Sequence, residues 1–509
     1  MPEPVRSDAP TVPSDAPPVA HERPAWLRRS SRPLVLAATI ATILISAIEA
    51  TIVATVMPQI VGQLGRFDLF SWVFTAYLLT QAVTIPIYGR LADIYGRKRM
   101  LLVSVGLFLV GSIMCGFANG MVMLIAFRVV QGAGSGGLVP LAQTVVGDMY
   151  TPVERARFQG YLSSVWAIGS IIGPLLGAFL VAHTIWPMVF WVNIPIGAIA
   201  AGMLILWLHE GLAHRQHRID YVGALLMVSG SGLLMFAVVQ ASHLGAGLFA
   251  SLLCGAAALL TLLVLYERRA PEPMIPIDLL RNRVIAAGTL GCFALGAIIM
   301  GATAFLSLYV QGVMGRSAIL AGMVLMTPSV AWLIGSSSGG WIMLRTSYRV
   351  TTMIGTAPLL LGSALLVALN PASAILVAGL GVACIGIGMG LTNNTFTVAI
   401  QGSVDWSRRG VATSTMSFMR QVGQSIGAAV FGGTINAQLA RVGAGADSVD
   451  RVMDPALRHT ISADAIAPLT AAIAAGLHHV YLITACLALS VLATALLLPK
   501  GLSPHRHGA

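Results

Sequence analysis

Between Leu34 and Leu498 the chain passes through fourteen apolar stretches, with short polar or charged connections between most of them. A helix needs roughly 20 apolar residues to cross a hydrocarbon core of about 30 Å, and these stretches are of that order. Only closed helices or closed barrels satisfy their backbone groups in lipid. Barrel strands would show short runs of alternating polarity, whereas these stretches are long and continuous. The fold class is therefore an all-α integral membrane protein. Composition agrees: 56% of residues are hydrophobic and 10% charged, against about a quarter charged in a soluble protein.

The net charge of +11 would point to nucleic acid on a soluble chain. Its distribution gives another reading. If the N-terminal tail is cytoplasmic and the connections alternate sides, the inside segments hold 23 Lys and Arg and the outside loops hold 5, with Arg128 and Arg420 inside apolar stretches. Basic residues collect on the cytoplasmic side of membrane proteins. Both termini are thus expected in the cytoplasm, in a multi-pass protein with lipid rather than nucleic acid as its surroundings. The strong use of Arg over Lys, 28 to 2, hints at a GC-rich bacterial genome, and with it an inner (cytoplasmic) membrane. No apolar core precedes residue 33, so no cleavable signal peptide is expected. The five cysteines each fall in an apolar stretch; buried thiols and no disulfide framework are expected. No spacing resembles a metal site.

The connection after the second stretch reads GRLADIYGRKR, Gly89–Arg99. Gly89 would allow close helix approach and Gly96 a turn with positive φ. Asp93 could pair with the basic residues around it or face a helix N-terminus. This segment closely resembles the signature loop of the major facilitator superfamily. In the fourth stretch, LIAFRVVQGAGSGG places Arg128, Gln131, Gly132 and Gly134 in the family's proton-transfer pattern. In the fifth, GSIIGPLLGAF places Gly169, Gly173, Pro174 and Gly177 in its antiporter pattern. In the first, IEATIVATVMP resembles the segment that marks the fourteen-helix drug:proton antiporters, the QacA/EmrB-like multidrug efflux transporters. WVNIPIG (Trp191–Gly197), IDYVGALL (Ile219–Leu226) and RRGVATSTMSFMRQVGQSIGAAVFG (Arg408–Gly432) extend the resemblance over nearly the whole chain. There are departures. Glu49 stands where the family usually has Asp. The second-half counterpart of the loop motif, GGWIMLRTSYR (Gly339–Arg349), lacks an acid, and Pro187 replaces a usual arginine.

The resemblance implies a major facilitator fold of 14 transmembrane helices. Residues 1–33 form a disordered cytoplasmic tail, 34–208 the first six-helix bundle, 209–284 two inserted helices with cytoplasmic linkers, 285–498 the second bundle, and 499–509 the C-terminal tail. The second bundle carries a long outside loop, 440–476, whose Ala-rich pattern suggests a short surface helix. The implied activity is proton-driven export of small amphipathic compounds by alternating access, with no cofactor beyond the proton gradient. It leaves open a periplasmic adaptor protein as a partner. A dedicated exporter of one metabolite, such as an antibiotic, siderophore or fatty acid, is the main alternative. A membrane-embedded enzyme would need a polar catalytic cluster, but the eleven histidines lie in tails, loops or helix ends. A non-transporting sensor would tolerate neutral residues at Glu49 and Arg128 and would usually carry a large soluble domain.

Glu49 alone among the nineteen acidic residues lies well inside a stretch. A buried carboxylate is costly when ionised, so it raises its pKa or finds a cation. It is the expected proton carrier. Arg128 is the matching buried cation, sensing Glu49 directly or through Gln131 and water. Gly89, Asp93, Gly96, Arg97, Gly169, Gly173, Pro174, Gly177 and Arg420 are read as the conformational gating set. The three glycines at four-residue spacing share one helix face, where backbones can pack closely. Trp72, Tyr77, Gln81, Trp166, Phe305, Tyr309, Asn393 and Asn394 are candidate cavity residues.

Overall fold

The computed structural model describes residues 30–150, 152–210, 220–239, 244–270, 279–371, 373–404, 409–442 and 463–498. Fourteen long helices follow one another: α1 (Arg32–Leu64), α2 (Phe70–Tyr95), α3 (Arg97–Gly116), α4 (Met121–Met149), α5 (Pro152–His183), α6 (Asn193–Trp207), α7 (Tyr221–Val239), α8 (Ala246–Glu267), α9 (Arg283–Met300), α10 (Ala318–Arg345), α11 (Tyr348–Val367), α12 (Ile375–Gly402), α13 (Arg409–Arg441) and α14 (Ala463–Leu497). A single turn, Met188–Trp191, precedes α6. Beyond Met300, α9 continues through two π-helical turns, Gly301–Phe305 and Tyr309–Val313, on either side of Leu306–Leu308. Among the described residues, 11 spans are long and apolar enough to cross a membrane. The described apolar parts of α5 and α7 are shorter, Ile168–His183 and Val222–Val238, and α13 is too polar along its length.

Two boundaries depart from the sequence reading. In the sequence the first apolar stretch, Leu34–Met57, ends before Pro58. Instead α1 runs through Pro58 and stops at Gly65, which has φ 71°. A proline removes one backbone donor, but the turn beyond it buries Ile60 and Val61 completely. At the other end of the chain, the outside loop 440–476 is expected to carry a short surface helix, whereas Ala463–Gly476 forms the opening turns of α14 itself. Alanine is the best helix former, and this part of α14 buries Ile473 and Leu469. Residues 443–462 of that loop lie outside the described residues. A third expectation also needs correction. Cys115 and Cys292 are buried, but Cys254 and Cys486 are exposed on the bundle surface. An apolar stretch in a membrane protein faces lipid as often as core, so apolarity alone does not imply burial.

The packing pattern repeats. In the first half α1 packs on α5, α6 and α4, and α4 on α2 and α3; in the second α9 packs on α13, α14 and α12, and α12 on α10 and α11. Each partner in the first half maps onto the helix eight places later, as two related six-helix bundles require. The contacts between halves follow the same rule: α5 meets α10, and α2 meets α13. Helices α7 and α8 pack on each other, and α7 rests on α2 and α13. The inserted pair therefore stands beside the two halves.

Candidate functional site

Glu49 sits in the middle of α1 and is 1% exposed; Arg128 of α4 is 2% exposed. Arg128 Nη1 and Glu49 Oε1 form an ion pair. The other carboxylate oxygen accepts a hydrogen bond from Asn193 Nδ2 at 2.7 Å. Asn193 is fully buried and opens α6, at the break after the Met188–Trp191 turn. Three helices thus converge on one carboxylate. Arg128 also donates through Nε to the Val73 carbonyl at 3.2 Å and through Nη1 to Gln131 Oε1 at 2.6 Å. Gln131 in turn donates to Ser112 Oγ on α3 at 2.9 Å. The pairing of Glu49, Arg128 and Gln131 expected from sequence is therefore direct, with no water needed between them. A buried pair is tolerated only when extra hydrogen bonds satisfy the charged groups, and Asn193, Gln131 and Val73 provide them.

Sequence reasoning missed Asn193. It lies in the WVNIPIG segment, where a lone amide beside an apolar run reads as a helix-end residue. Ser112 carried no signal either, since a hydroxyl in a membrane helix usually bonds its own backbone.

A second chain of contacts leaves Arg128 on its other face. The guanidinium carbon lies 3.9 Å from the centroid of the Tyr77 ring, within cation–π range. Tyr77 and Ser135 hydroxyls share a hydrogen bond of 2.7 Å, and Gln81 Nε2 donates to the same Ser135 oxygen at 2.8 Å. Gln81 Oε1 accepts from Gln421 Nε2, which belongs to the second half. Tyr77 and Gln81, read from sequence as cavity residues, therefore join the ion pair to the seam between halves. The α4 backbone comes close enough for this because of Gly132: a Cβ there would lie 2.4 Å from the Tyr77 carbonyl.

The seam continues from Gln81–Gln421 toward the end of the bundle that carries Leu64 and Phe70. Ser425 donates to the Thr75 carbonyl at 3.1 Å and Asn436 to the Asp68 carbonyl at 2.8 Å. Between α1 and the continuation of α9, Gln311 Nε2 donates to the Thr55 carbonyl and to Ser307 Oγ, both at 2.8 Å, and Gln59 bonds Gln311 Oε1. Ser329 of α10 reaches the Ser170 carbonyl of α5 at 3.3 Å.

Of the gating set, Gly169, Gly173 and Gly177 do line the face of α5 that meets α1. A Cβ at Gly173 would stand 2.1 Å from Thr51 Oγ1, and one at Gly169 2.6 Å from the Ala47 Cβ. Pro174 lies inside α5 on the face toward α10; a Cβ on Gly322 would be 2.8 Å from its carbonyl oxygen. Gly96 has φ 95°, the positive value expected of it. Gly89 does not serve close approach: a Cβ there would meet nothing within 4 Å. Arg97 begins α3, and its backbone N–H and that of Lys98 are capped by the Glu210 carboxylate at 2.6 and 2.8 Å, a favourable charge at a helix N-terminus. The side chain of Asp93 and residues 405–408, including Arg408, lie outside the described residues.

The remaining cavity candidates scatter. Trp72 faces α7, 6.3 Å from the Phe236 ring. Trp166 packs on a buried cluster of the first half that includes Ile43 and Val35. Phe305 is fully buried between Phe70 and Phe431, at 5.6 and 5.5 Å. Tyr309 packs against Tyr481 at 6.1 Å, and both hydroxyls are buried without a hydrogen-bond partner among the described residues. Asn394 donates to the Ser336 carbonyl at 3.2 Å. The Asn393 Oδ1 is buried with no such partner among the described residues.

Comparison with known proteins places this architecture. The profile of the Major Facilitator Superfamily matches residues 39–428. The chain is 34% identical over 412 residues to "Multidrug resistance protein 3" of Bacillus subtilis (strain 168), covering 80% of each chain. It is 31% identical over 425 residues to "Multidrug resistance protein Stp" of Mycobacterium tuberculosis (strain CDC 1551 / Oshkosh), covering 82% of this chain and 78% of the relative. Among solved structures, an auto-inhibited POT family peptide transporter superposes with a TM-score of 0.65 over 93% of this chain and 98% of that one, at 15% identity.

Proposed function

Because the chain belongs to the Major Facilitator Superfamily, and so is a transporter rather than an enzyme, we propose that it is a proton-coupled antiporter. It exports small amphipathic organic compounds across the bacterial cytoplasmic membrane by alternating access. Fourteen spans with both termini in the cytoplasm are part of this reading, supported by the 23-to-5 split of basic residues. Export of drug-like compounds is supported by relatives named for multidrug resistance.

The observation that carries the proton coupling is the Glu49–Arg128–Asn193 constellation. Glu49 is ionised while it holds Arg128. Once the outer face has opened, a proton arriving from the outside neutralises the carboxylate, and the Arg128 guanidinium loses its counter-ion but keeps Gln131, Val73 and the Tyr77 ring. Tyr77 and Gln81 then transmit the change to the seam through Ser135 and Gln421. The seam contacts from Thr55 to Asn436 hold the outer face closed, and a shift of the equilibrium must exchange them. Proton release to the cytoplasm restores the ion pair. Each charge moving through 100 mV supplies roughly 2.3 kcal/mol, enough for roughly a 50-fold gradient.

The test is substrate-driven proton exchange by the reconstituted chain, read with a lumenal pH dye while cationic, neutral and anionic fluorescent amphiphiles are added in turn. At least one compound should move protons in the opposite direction, and a protonophore should abolish its accumulation. Accumulation unaffected by the protonophore would overturn the coupling.

A further inference from the structure

Helix α13 carries a polar stripe through the middle of the membrane. Thr413, Ser417, Arg420, Gln421 and Gln424 recur at helical spacing and are each partly accessible, while Ala412, Thr415, Met416 and Phe418 are buried. A stripe with a cation at this depth belongs on the interior of a bundle rather than on lipid. Its setting agrees, since α13 packs on α2, α7, α9 and α14 and also meets α12.

The seam with α12 is held by side-chain contacts one and two turns from Arg420. Gln401 Nε2 donates to Thr413 Oγ1 at 3.2 Å, and Thr397 Oγ1 reaches Met416 Sδ at 3.8 Å. On the α9 side the backbones touch: a Cβ at Gly296 would be 2.0 Å from the Arg420 carbonyl. The α13 backbone is therefore pinned at this level while its guanidinium is left without a hydrogen bond or ion pair among the described residues. Glu49, the acid deep in the bundle, is taken by Arg128 and Asn193.

We propose that Arg420 is an anion-recognition site on the transport path, so that the exported compounds include amphiphiles bearing a carboxylate, sulfonate or phosphate. The proposal rests on the efflux reading and names a substrate class for it. A guanidinium presents a planar fork of donors that matches such an anion two bonds at a time, and it stays charged throughout the cycle. An apolar wall with one fixed cation suits ligands with a greasy body and an acidic end.

The site is tested by equilibrium binding to the full chain in phosphatidylcholine nanodiscs. The probes share one apolar body: 1-pyrenebutyrate, 1-pyrenebutanol and 4-(1-pyrenyl)butyl-trimethylammonium. Wild type should bind the butyrate at least tenfold more tightly than the alcohol. Arg420→Gln should lose that preference while binding the alcohol normally, Arg420→Lys should keep part of it, and Glu49→Gln should keep all of it. Equal binding of butyrate and alcohol by wild type, or a preference that survives Arg420→Gln, overturns the proposal. So does loss of all three ligands alike in both Arg420 variants. A third arm adds phosphatidylglycerol to the discs: if it abolishes the butyrate preference, the occupant is a lipid headgroup and the substrate assignment falls. Anion preference without proton exchange would sink the efflux reading and leave the site standing; proton exchange without anion preference would do the reverse.

Discussion

Glu49 and Arg128 in the first half, and Arg420 in the second, all lie within helices far from the membrane faces, yet they keep different company. The first pair is closed on itself. Both carboxylate oxygens and two of the guanidinium nitrogens have partners contributed by α1, α2, α4 and α6. Arg420 has no hydrogen bond or ion pair among the described residues. The packing of the two halves repeats helix for helix, but the polar content does not. One bundle holds a balanced charge that a proton can unbalance; the other holds an unbalanced charge that a ligand can balance. A repeated fold can thus divide the two tasks of an antiporter between its halves.

Stability measurements give the largest contrast. Arg128→Met leaves the Glu49 carboxylate buried without its cation, at a cost of about 3–5 kcal/mol. Adding Glu49→Gln should recover most of that loss, because the pair then goes as a unit. Arg420→Gln orphans no partner and should cost under about 1 kcal/mol. Denaturation of the detergent-purified variants checks all three. An Arg420→Gln variant as unstable as Arg128→Met would mean that Arg420 has a structural counter-charge, and the comparison would break.

Glu49→Gln comes next. It keeps the shape and the hydrogen bond from Arg128 but fixes the group as neutral. With one coupled charge lost, the gradient sustained at 100 mV should fall roughly 50-fold, and efflux should no longer follow the pH difference. Glu49→Asp keeps the titratable group on a shorter arm and should retain partial, pH-shifted activity. Efflux by the Gln variant at the normal rate and pH dependence would move the coupling site elsewhere.

The sequence exposed the first of these regions more fully than the second, for a physical reason. An acid or arginine in an apolar run is expensive, so Glu49 and Arg128 stood out from composition alone. Their amide and hydroxyl partners are cheap in a helix, so Asn193, Ser112 and Ser135 did not. Four-residue glycine spacing revealed the α5 face because close backbone contact demands it on one side of a helix. Helix ends were harder. An apolar run measures the lipid crossing, while α1 ends at Gly65, past the Pro58 that interrupts its backbone bonding. The contacts between halves pair residues hundreds of positions apart, such as Gln59 with Gln311, and no local pattern announces them.

Glycine substitutions sharpen the contrast between packed interface and open loop. At Gly173 a Cβ would lie 2.1 Å from Thr51 Oγ1 and 3.1 Å from the Ile48 carbonyl, so Gly173→Ala should cost about 1–3 kcal/mol by overpacking the α1–α5 contact. Gly89 is helical and open, so Gly89→Ala should be neutral or gain up to about 1 kcal/mol. Melting of the two variants side by side decides it. If Gly89→Ala melts lower than wild type, the signature loop packs more tightly than its open surroundings indicate.

The smallest effect probes the contact between α1 and the continuation of α9. Gln59 reaches Gln311 across the seam, while Gln59 Oε1 has no partner among the described residues. Gln59→Leu therefore removes a single hydrogen bond, worth about 0.5–1.5 kcal/mol, and shifts the populations of the two states by about two- to tenfold toward opening. The shift can be read at Thr55, which is fully buried at the same seam and whose hydroxyl lacks a hydrogen-bond partner among the described residues. Thr55→Cys should be tolerated there. In a background with the five native cysteines replaced by serine, a small externally added thiol reagent should modify that cysteine two- to tenfold faster when Gln59 is Leu. If the rate is unchanged, the Gln59–Gln311 contact does not hold this face shut, and closure rests on the contacts of α2 with α13 instead. The same variant should leave the anion preference of Arg420 untouched, since it removes a contact between the halves and alters neither charge.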